Sequence, residues 1–177
     1  MKPHSLVKIA FVVLCFVSSL RAQTNLVDVN SRKAAPDFTL ADSKDTVIKL
    51  SNYRGRVVLL DFWATWCEGC KVEIPWYIEF QKKYNDSGLS VVGVSVDDDG
   101  WKSVKPFLVD KQINYPVVVG SWDWAERQFG ISSLPVTLLI DRNGKVADRH
   151  VGMVDRDTFD KEIQILLKET APKDAAK

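Results

Sequence analysis

The first apolar run of the 177-residue chain spans Ile9 to Leu20, broken only by Ser18 and Ser19 and preceded by Lys2 and Lys8. Arg21-Ala22 follows, with a small residue suited to cleavage. Charge, apolar run and small residue in that order predict a secretory signal peptide over residues 1–22. A bilayer-spanning helix needs about 20 apolar residues, more than this run supplies; if retained, the segment would act as a membrane anchor. Residues 23–34 are polar without a period and predict a flexible leader. The pattern then changes. Ala35 to Leu40 and Val47 to Leu50 predict a short hairpin, and Asn52 to Arg56 a turn. Val57 to Trp63 is apolar throughout except for Asp61, as in a strand buried on both faces. From Cys67 to about Tyr84 the spacing turns helical, with Val72, Pro75, Trp76, Phe80 and Tyr84 at three- and four-residue intervals. Pro75 is expected to kink that helix.

Ser90 to Val96 predicts a further strand, Trp101 to Lys111 a helix, Tyr115 to Val119 a strand, and Asp123 to Phe129 a short helix closed by Gly130. Pro135 to Asp141 and Lys145 to Gly152 flank Arg142-Asn143-Gly144, a strong hairpin signal. Asp155 to Lys168 reads as an amphipathic helix capped by Asp155 or Asp157. Residues 170–177 form a polar tail expected to fray. Strands alternating with helices, then a closing hairpin and helix, predict one α/β domain over 35–169 with a mixed central sheet. Cys67 and Cys70 would lie just past the carboxyl end of the Val57–Trp63 strand, where ligands bind in open α/β sheets.

Charge alters the picture only after the leader is accounted for. The whole chain carries 24 basic and 23 acidic side chains. Loss of residues 1–22 removes Lys2, Lys8 and Arg21 but no acid, leaving a net charge near −2. Such a chain has no electrostatic drive toward nucleic acid or anionic lipid. Cys15 leaves with the same segment, so Cys67 and Cys70 are the cysteines that remain, and His150 the remaining histidine. About 150 residues suffice for a real core without disulfide staples. Two cysteines in an exported chain of that size therefore read as working parts.

Thiolates, not thiols, attack disulfides. At a helix start, Cys67 would face free backbone N–H groups and the positive end of the dipole. Cys70, one turn on, could close a disulfide with it, Cys67 attacking and Cys70 resolving. A purely structural bridge across two residues would close too small a loop to constrain the unfolded chain much. A zinc site would lack ligands. The pattern calls for no metal or cofactor besides the cysteine pair.

Phe62-Trp63-Ala64-Thr65-Trp66-Cys67-Glu68-Gly69-Cys70, preceded by Gly55 to Asp61, resembles the active-site segment of the thioredoxin superfamily, in its exported TlpA/ResA-like branch. The resemblance extends over Ala35 to Leu167, through Ser133-Leu134-Pro135-Val136-Thr137 and Leu139 to Gly144. It implies a thioredoxin fold with an N-terminal β-hairpin and a central inserted βα element. It also implies a cis Pro135 facing the cysteine pair, with Leu134 offering its backbone to a substrate peptide. Trp66 is a contact residue beside the exposed sulfur. Asp61, an acid inside an apolar strand, has a burial-raised pKa and matches the buried aspartate of thioredoxins; Glu73 matches the glutamate of ResA-like proteins. Either could take the proton of Cys70. Gly69 stands where the branch usually has proline, which predicts a looser helix start. Glu68 places a negative charge beside Cys67, favouring a reducing centre.

The activity so implied is reduction of protein disulfides in the periplasm or outside the cell, apocytochrome c among the substrates. A membrane-bound electron donor upstream and a monomeric state complete that expectation. Two alternatives stand beside it. A thiol peroxidase of the same fold would need Pro and Thr seven and three positions before its reactive cysteine, where Leu60 and Ala64 stand. A copper-delivery protein would need His150 as a ligand. Asp97-Asp98-Asp99-Gly100 reads as a helix cap and solvated turn rather than a calcium loop, Asn85-Asp86-Ser87 fits a glycosylation sequon, and the remaining tryptophans read as packing.

Overall fold

The computed structural model describes residues 24–170. The signal peptide expected over 1–22 and nearly all of the expected tail lie outside the described residues. Two short strands, β1 (Thr39–Ala41) and β2 (Val47–Lys49), pair antiparallel as the predicted hairpin. A 3-10 turn at Leu50–Tyr53 leads into β3 (Val57–Trp63), every residue of which is buried. Then follow α1 (Glu68–Tyr84), β4 (Leu89–Ser95), α2 (Trp101–Asp110), β5 (Val117–Val119), α3 (Trp122–Phe129), β6 (Val136–Ile140), β7 (Val146–Val151) and α4 (Arg156–Lys168).

The main sheet runs β5-β4-β3-β6-β7, with β3, β4 and β5 parallel and β6 and β7 antiparallel to their neighbours. It is the mixed sheet the alternation predicts, and α2 with β5 forms the inserted βα element. β3 sits at the centre because its apolar run can be covered on both sides. Trp63 meets Phe107 of α2 at 5.1 Å between ring centroids, and Phe62 meets Phe129 of α3 at 4.9 Å. Successive strand residues point to opposite faces, so α2 and α3 cover opposite sides. On the side Trp63 shares with Asp61, α1 packs against α4 through Tyr77 and Phe159, edge to face at 5.5 Å. Each large apolar side chain buried here stabilises the fold by roughly 1.5–3 kcal/mol relative to exposure.

Three expectations need correction. The apolar face of α1 is not centred on Val72 and Pro75, which lie open to solvent; the helix buries Cys70, Glu73, Ile74, Tyr77, Phe80 and Tyr84. That is a seam at the same three- and four-residue spacing, but it recruits an acid and omits a valine. The helix passes Pro75 without ending. The leader over 23–34 is not free along its length. The Val27 N–H donates to the Ala147 carbonyl at 2.8 Å, the Val146 N–H to the Lys33 carbonyl at 2.8 Å and the Ala35 N–H to the Gly144 carbonyl at 3.0 Å. These bonds cover the outer edge of β7, whose backbone groups would otherwise stay unpaired. Arg32 is buried there. Its guanidinium reaches Asp141 at 3.1 Å and Glu169 at 2.6 Å, tying the leader to the end of β6 and to the residue that follows α4.

The third correction concerns the acidic turn. Asp97 is buried rather than solvated: it accepts bonds from the Thr65 N–H at 3.0 Å, the Thr65 hydroxyl at 2.6 Å and the Ser95 hydroxyl at 2.8 Å. The predicted cap is absent as such, since Gly100 starts α2 at φ +57° with no side-chain bond. At the other two signals the sequence reading holds. Gly144 adopts φ +69° in the Asn-Gly hairpin, a conformation glycine reaches without a Cβ clash. Asp155 caps α4 by accepting from the Thr158 N–H at 3.0 Å.

Candidate functional site

The redox pair is placed by a strand and a helix together. β3 ends at Trp63, and Ala64 to Trp66 turn the chain so that Cys67 becomes the N-cap of α1. Asp97 fixes that turn by holding both the amide and the hydroxyl of Thr65, two residues before the first cysteine. Cys67 and Cys70 are joined as a disulfide, with Cα atoms 5.3 Å apart. The Cys70 N–H donates to Cys67 Sγ at 3.1 Å. In the reduced protein the same N–H, at a helix start, favours a thiolate on Cys67.

The two cysteines differ in exposure. Cys67 is 6% exposed at the surface edge, and Cys70 is 1% exposed behind it. Trp66 stands 60% exposed beside the pair. The Leu134–Pro135 bond is cis, with Pro135 buried and Leu134 half-buried. Pro135 also reaches the cysteine loop: a Cβ built on Gly69 would lie 3.2 Å from its Cδ. The same Cβ would lie 3.0 Å from Met153 Cγ. The space beside Gly69 is therefore filled by the Met153 side chain, so the helix start is packed where the missing proline predicted looseness. Met153 is itself 60% exposed and borders the cysteine loop at Gly69. Glu68 does not act alone beside Cys67, because Lys71 Nζ meets its carboxylate at 2.7 Å.

Behind the pair lie two buried acids. Asp61 is 1% exposed, and neither carboxylate oxygen has a hydrogen-bond partner. Burial pushes its carboxyl well above the usual range; the charge of Glu73 adds to this, and the Thr137 side chain pulls the other way. Glu73, also 1% exposed, is one turn beyond Cys70 on the same helix face. Burial raises it too. The Val154 N–H, the Tyr77 hydroxyl and the charge of His150 act in the opposite direction. The Val154 N–H donates to Glu73 Oε1 at 3.2 Å and the Tyr77 hydroxyl to Oε2 at 3.0 Å. Asp61 is thus the acid driven more strongly toward its protonated form, and Glu73 the one better equipped to carry charge.

Sequence reasoning missed four residues here. Tyr77 drew no reading from the sequence and Thr137 entered only with the motif around Pro135, yet their hydroxyls lie 2.8 Å apart beside Glu73. Asp97 was hidden in an acidic run. Met153 carries no motif, and only the space left by Gly69 could have pointed to it. His150, the ligand a copper site would require, pairs through Nε2 with Glu162 at 2.7 Å. Burial works against its charge, but the hydrogen bond and charge of Glu162 outweigh this, and its pKa is raised. Among the described residues, the one group of His, Cys, Asp and Glu side chains close enough to share a cation is Asp148, His150 and Glu162, which includes neither cysteine. Leu60 and Ala64, at the two positions a thiol peroxidase would fill with Pro and Thr, are buried and apolar.

The profile of the AhpC/TSA family matches residues 32–149. The chain is 33% identical over 130 residues to the thiol-disulfide oxidoreductase ResA of Geobacillus kaustophilus, which spans 73% of this chain and 74% of the relative. A DsbE-type thiol:disulfide interchange protein of Chlorobium tepidum superposes with a TM-score of 0.72 at 36% identity, over 77% of this chain and 96% of that one. A second thiol:disulfide interchange protein, of the thioredoxin family and from Chlorobium tepidum TLS, gives 0.71 at 26% identity over 80% and 99%. The profile match takes in both cysteines and Pro135, and the similar proteins are named for thiol–disulfide exchange. The chain therefore belongs to the AhpC/TSA family and, within it, to the TlpA/ResA-like thiol–disulfide oxidoreductases of thioredoxin fold.

Proposed function

We propose that this oxidoreductase works as an exported reductase of protein disulfides, apocytochrome c among them. The observation that carries the direction is the pair of acids buried behind the disulfide. A strongly oxidising centre stabilises its reduced thiolate. Glu73, the acid better equipped to carry charge and one turn beyond Cys70 on the helix that holds both cysteines, opposes such a thiolate. The buried Asp61 supplies no positive charge to offset it, and the Lys71 ammonium pairs with Glu68. In this reading the Cys67 thiolate attacks the substrate disulfide, and Cys70 then attacks the Cys67–substrate bond. Asp61 and Glu73 take up the proton that Cys70 loses. Trp66 and the Leu134–Pro135 backbone receive the substrate chain on either side of Cys67, as an added strand. The segment over residues 1–22 supports export to the periplasm or cell exterior, or anchoring there if it is kept. A membrane-bound dithiol donor then re-reduces a monomeric protein.

Equilibration of the Cys67–Cys70 couple against glutathione tests the direction. A midpoint in the thioredoxin range, about −270 mV, is the expected result. A midpoint near −120 mV, the range of strong periplasmic oxidants, would overturn the reductase reading and leave the exchange chemistry intact.

A further inference from the structure

Between Asp61 and Glu73 stand two hydroxyls that the exchange reaction as described does not use. Thr137 lies directly opposite Asp61 in the antiparallel register of β3 and β6. Residues opposed in this way project from the same face, with Cβ atoms about 4.5–5.5 Å apart. The Tyr77 hydroxyl, fully buried on α1, lies 2.8 Å from Thr137 Oγ1 and 3.0 Å from Glu73 Oε2. A phenol has one proton to give. Because Tyr77 gives its proton to Glu73, the Thr137 hydroxyl must be the donor to Tyr77. The chain of bonds thus has a direction, from Thr137 through Tyr77 to Glu73, and it begins opposite a carboxyl whose two oxygens have no other partner.

We propose that Thr137 and Tyr77 form a hydroxyl relay that moves a proton from Asp61 to Glu73 while Cys70 resolves the mixed disulfide. The proposal rests on the reading that these acids receive the Cys70 proton. It answers a difficulty in that reading: burial with no partner for either oxygen favours the protonated form of Asp61, and that form cannot accept a proton until it gives one up. Asp61 passes its proton to Thr137 Oγ1, the Thr137 proton moves to the Tyr77 oxygen, and the Tyr77 proton moves to Glu73 Oε2. Each hydroxyl gains one proton and loses one. Asp61, now vacant, takes the proton from the Cys70 thiol. The Cys70 sulfur forms its bond to Cys67, the Cys67–substrate bond breaks, and the electron pair leaves on the substrate thiolate. The link from Asp61 to Thr137 is the one that must tighten for transfer. Burial holds Tyr77 as a phenol, and the charges of Asp61 and Glu73 reinforce this. Other titratable groups face the relay: His150 of β7, paired with Glu162 of α4 and flanked by Asp148, faces Glu73, and Tyr115 faces Asp61.

Ellman's reagent separates the two steps. Reduced full-length protein releases one thionitrobenzoate as Cys67 attacks and a second as Cys70 resolves the mixed disulfide. Tyr77→Phe should slow the second release about tenfold. It should also move the acid limb of that step upward in pH, since Glu73 loses a donor that favours its charged form. The first release should stay unchanged. Thr137→Val, which keeps the side-chain volume and the Tyr77–Glu73 bond, should slow the second release as well. If Thr137→Val resolves at the wild-type rate while Tyr77→Phe does not, Tyr77 only positions Glu73 and the relay is overturned. It is equally overturned if both variants match wild type while Asp61→Asn and Glu73→Gln are slow. If those two acid variants are also normal, the reading of the acids has failed instead. A proton inventory on the wild type, in mixtures of light and heavy water, needs no variant to fold. A curved dependence of the second release supports transfer of several protons, and a linear one rejects it.

Discussion

Cys67→Ser should abolish disulfide reduction, lowering kcat/KM by about a thousandfold or more. Cys70→Ser should instead stop the reaction after its first step. The asymmetry follows from access and position. Cys67 caps α1, accepts the Cys70 N–H and is the more exposed of the two residues, whereas Cys70 is 1% exposed. A substrate disulfide should therefore meet the Cys67 sulfur first, and a protein without Cys70 should accumulate as a covalent Cys67–substrate adduct. Insulin reduction measures the loss, and mass spectrometry of Cys70→Ser after incubation with an oxidised peptide measures the trapped species. The reverse pattern, with Cys67→Ser forming the adduct, would reverse the roles of the two sulfurs. Peroxide consumption by the wild type separates this chemistry from that of a peroxidase. Leu60 and Ala64 offer no hydroxyl to a bound peroxide, so turnover should be slow and independent of Cys67.

What the sequence disclosed about this site depended on the range of the interactions involved. β3 was legible to the residue, because seven consecutive positions with one exception are apolar and a strand covered on both faces needs that run. Asp61 was legible as the exception. The cysteines were legible because their spacing and their place at a strand-to-helix junction are both local. The cis bond at Pro135 and the inserted α2–β5 element came from resemblance, since neither leaves a mark in periodicity. Tyr77 drew no reading, because its hydroxyl matters only where β6 brings Thr137 against α1, sixty residues further along the chain. Arg32 was read as part of a loose leader, because nothing near it in sequence announces Asp141 and Glu169. Asp97 was misread for the same reason in reverse. Its neighbours are solvated acids, and its partner Thr65 lies 32 residues earlier.

Asp61→Asn should make the protein more stable and a poorer catalyst. The Asp61 carboxyl has a folded-state pKa well above its ordinary value of 3.8, caused first by burial and then by the charge of Glu73. A carboxyl raised in this way keeps its proton in the folded protein at pH values where the unfolded chain has released it. The native state then binds more protons than the unfolded one, so stability falls as pH rises from about 4 through the folded pKa. Asparagine cannot ionise and escapes that loss. The advantage of Asp61→Asn over wild type should be small near pH 4, grow with pH and level off above the folded pKa. It should reach about 1–3 kcal/mol, the range measured for burying an uncompensated polar group, and raise Tm by roughly 5 °C. Thermal unfolding of the oxidised protein from pH 4 to 9 measures this directly. A constant difference across the range, or a loss of stability in the variant, would mean that Asp61 is ionised and paired in the native state. The same substitution should slow resolution of the mixed disulfide about a hundredfold, since the amide can neither take the Cys70 proton nor start the relay. Opposite signs for stability and rate are what a buried functional acid requires: its proton affinity, raised at the expense of the fold, is the property that the resolving step uses.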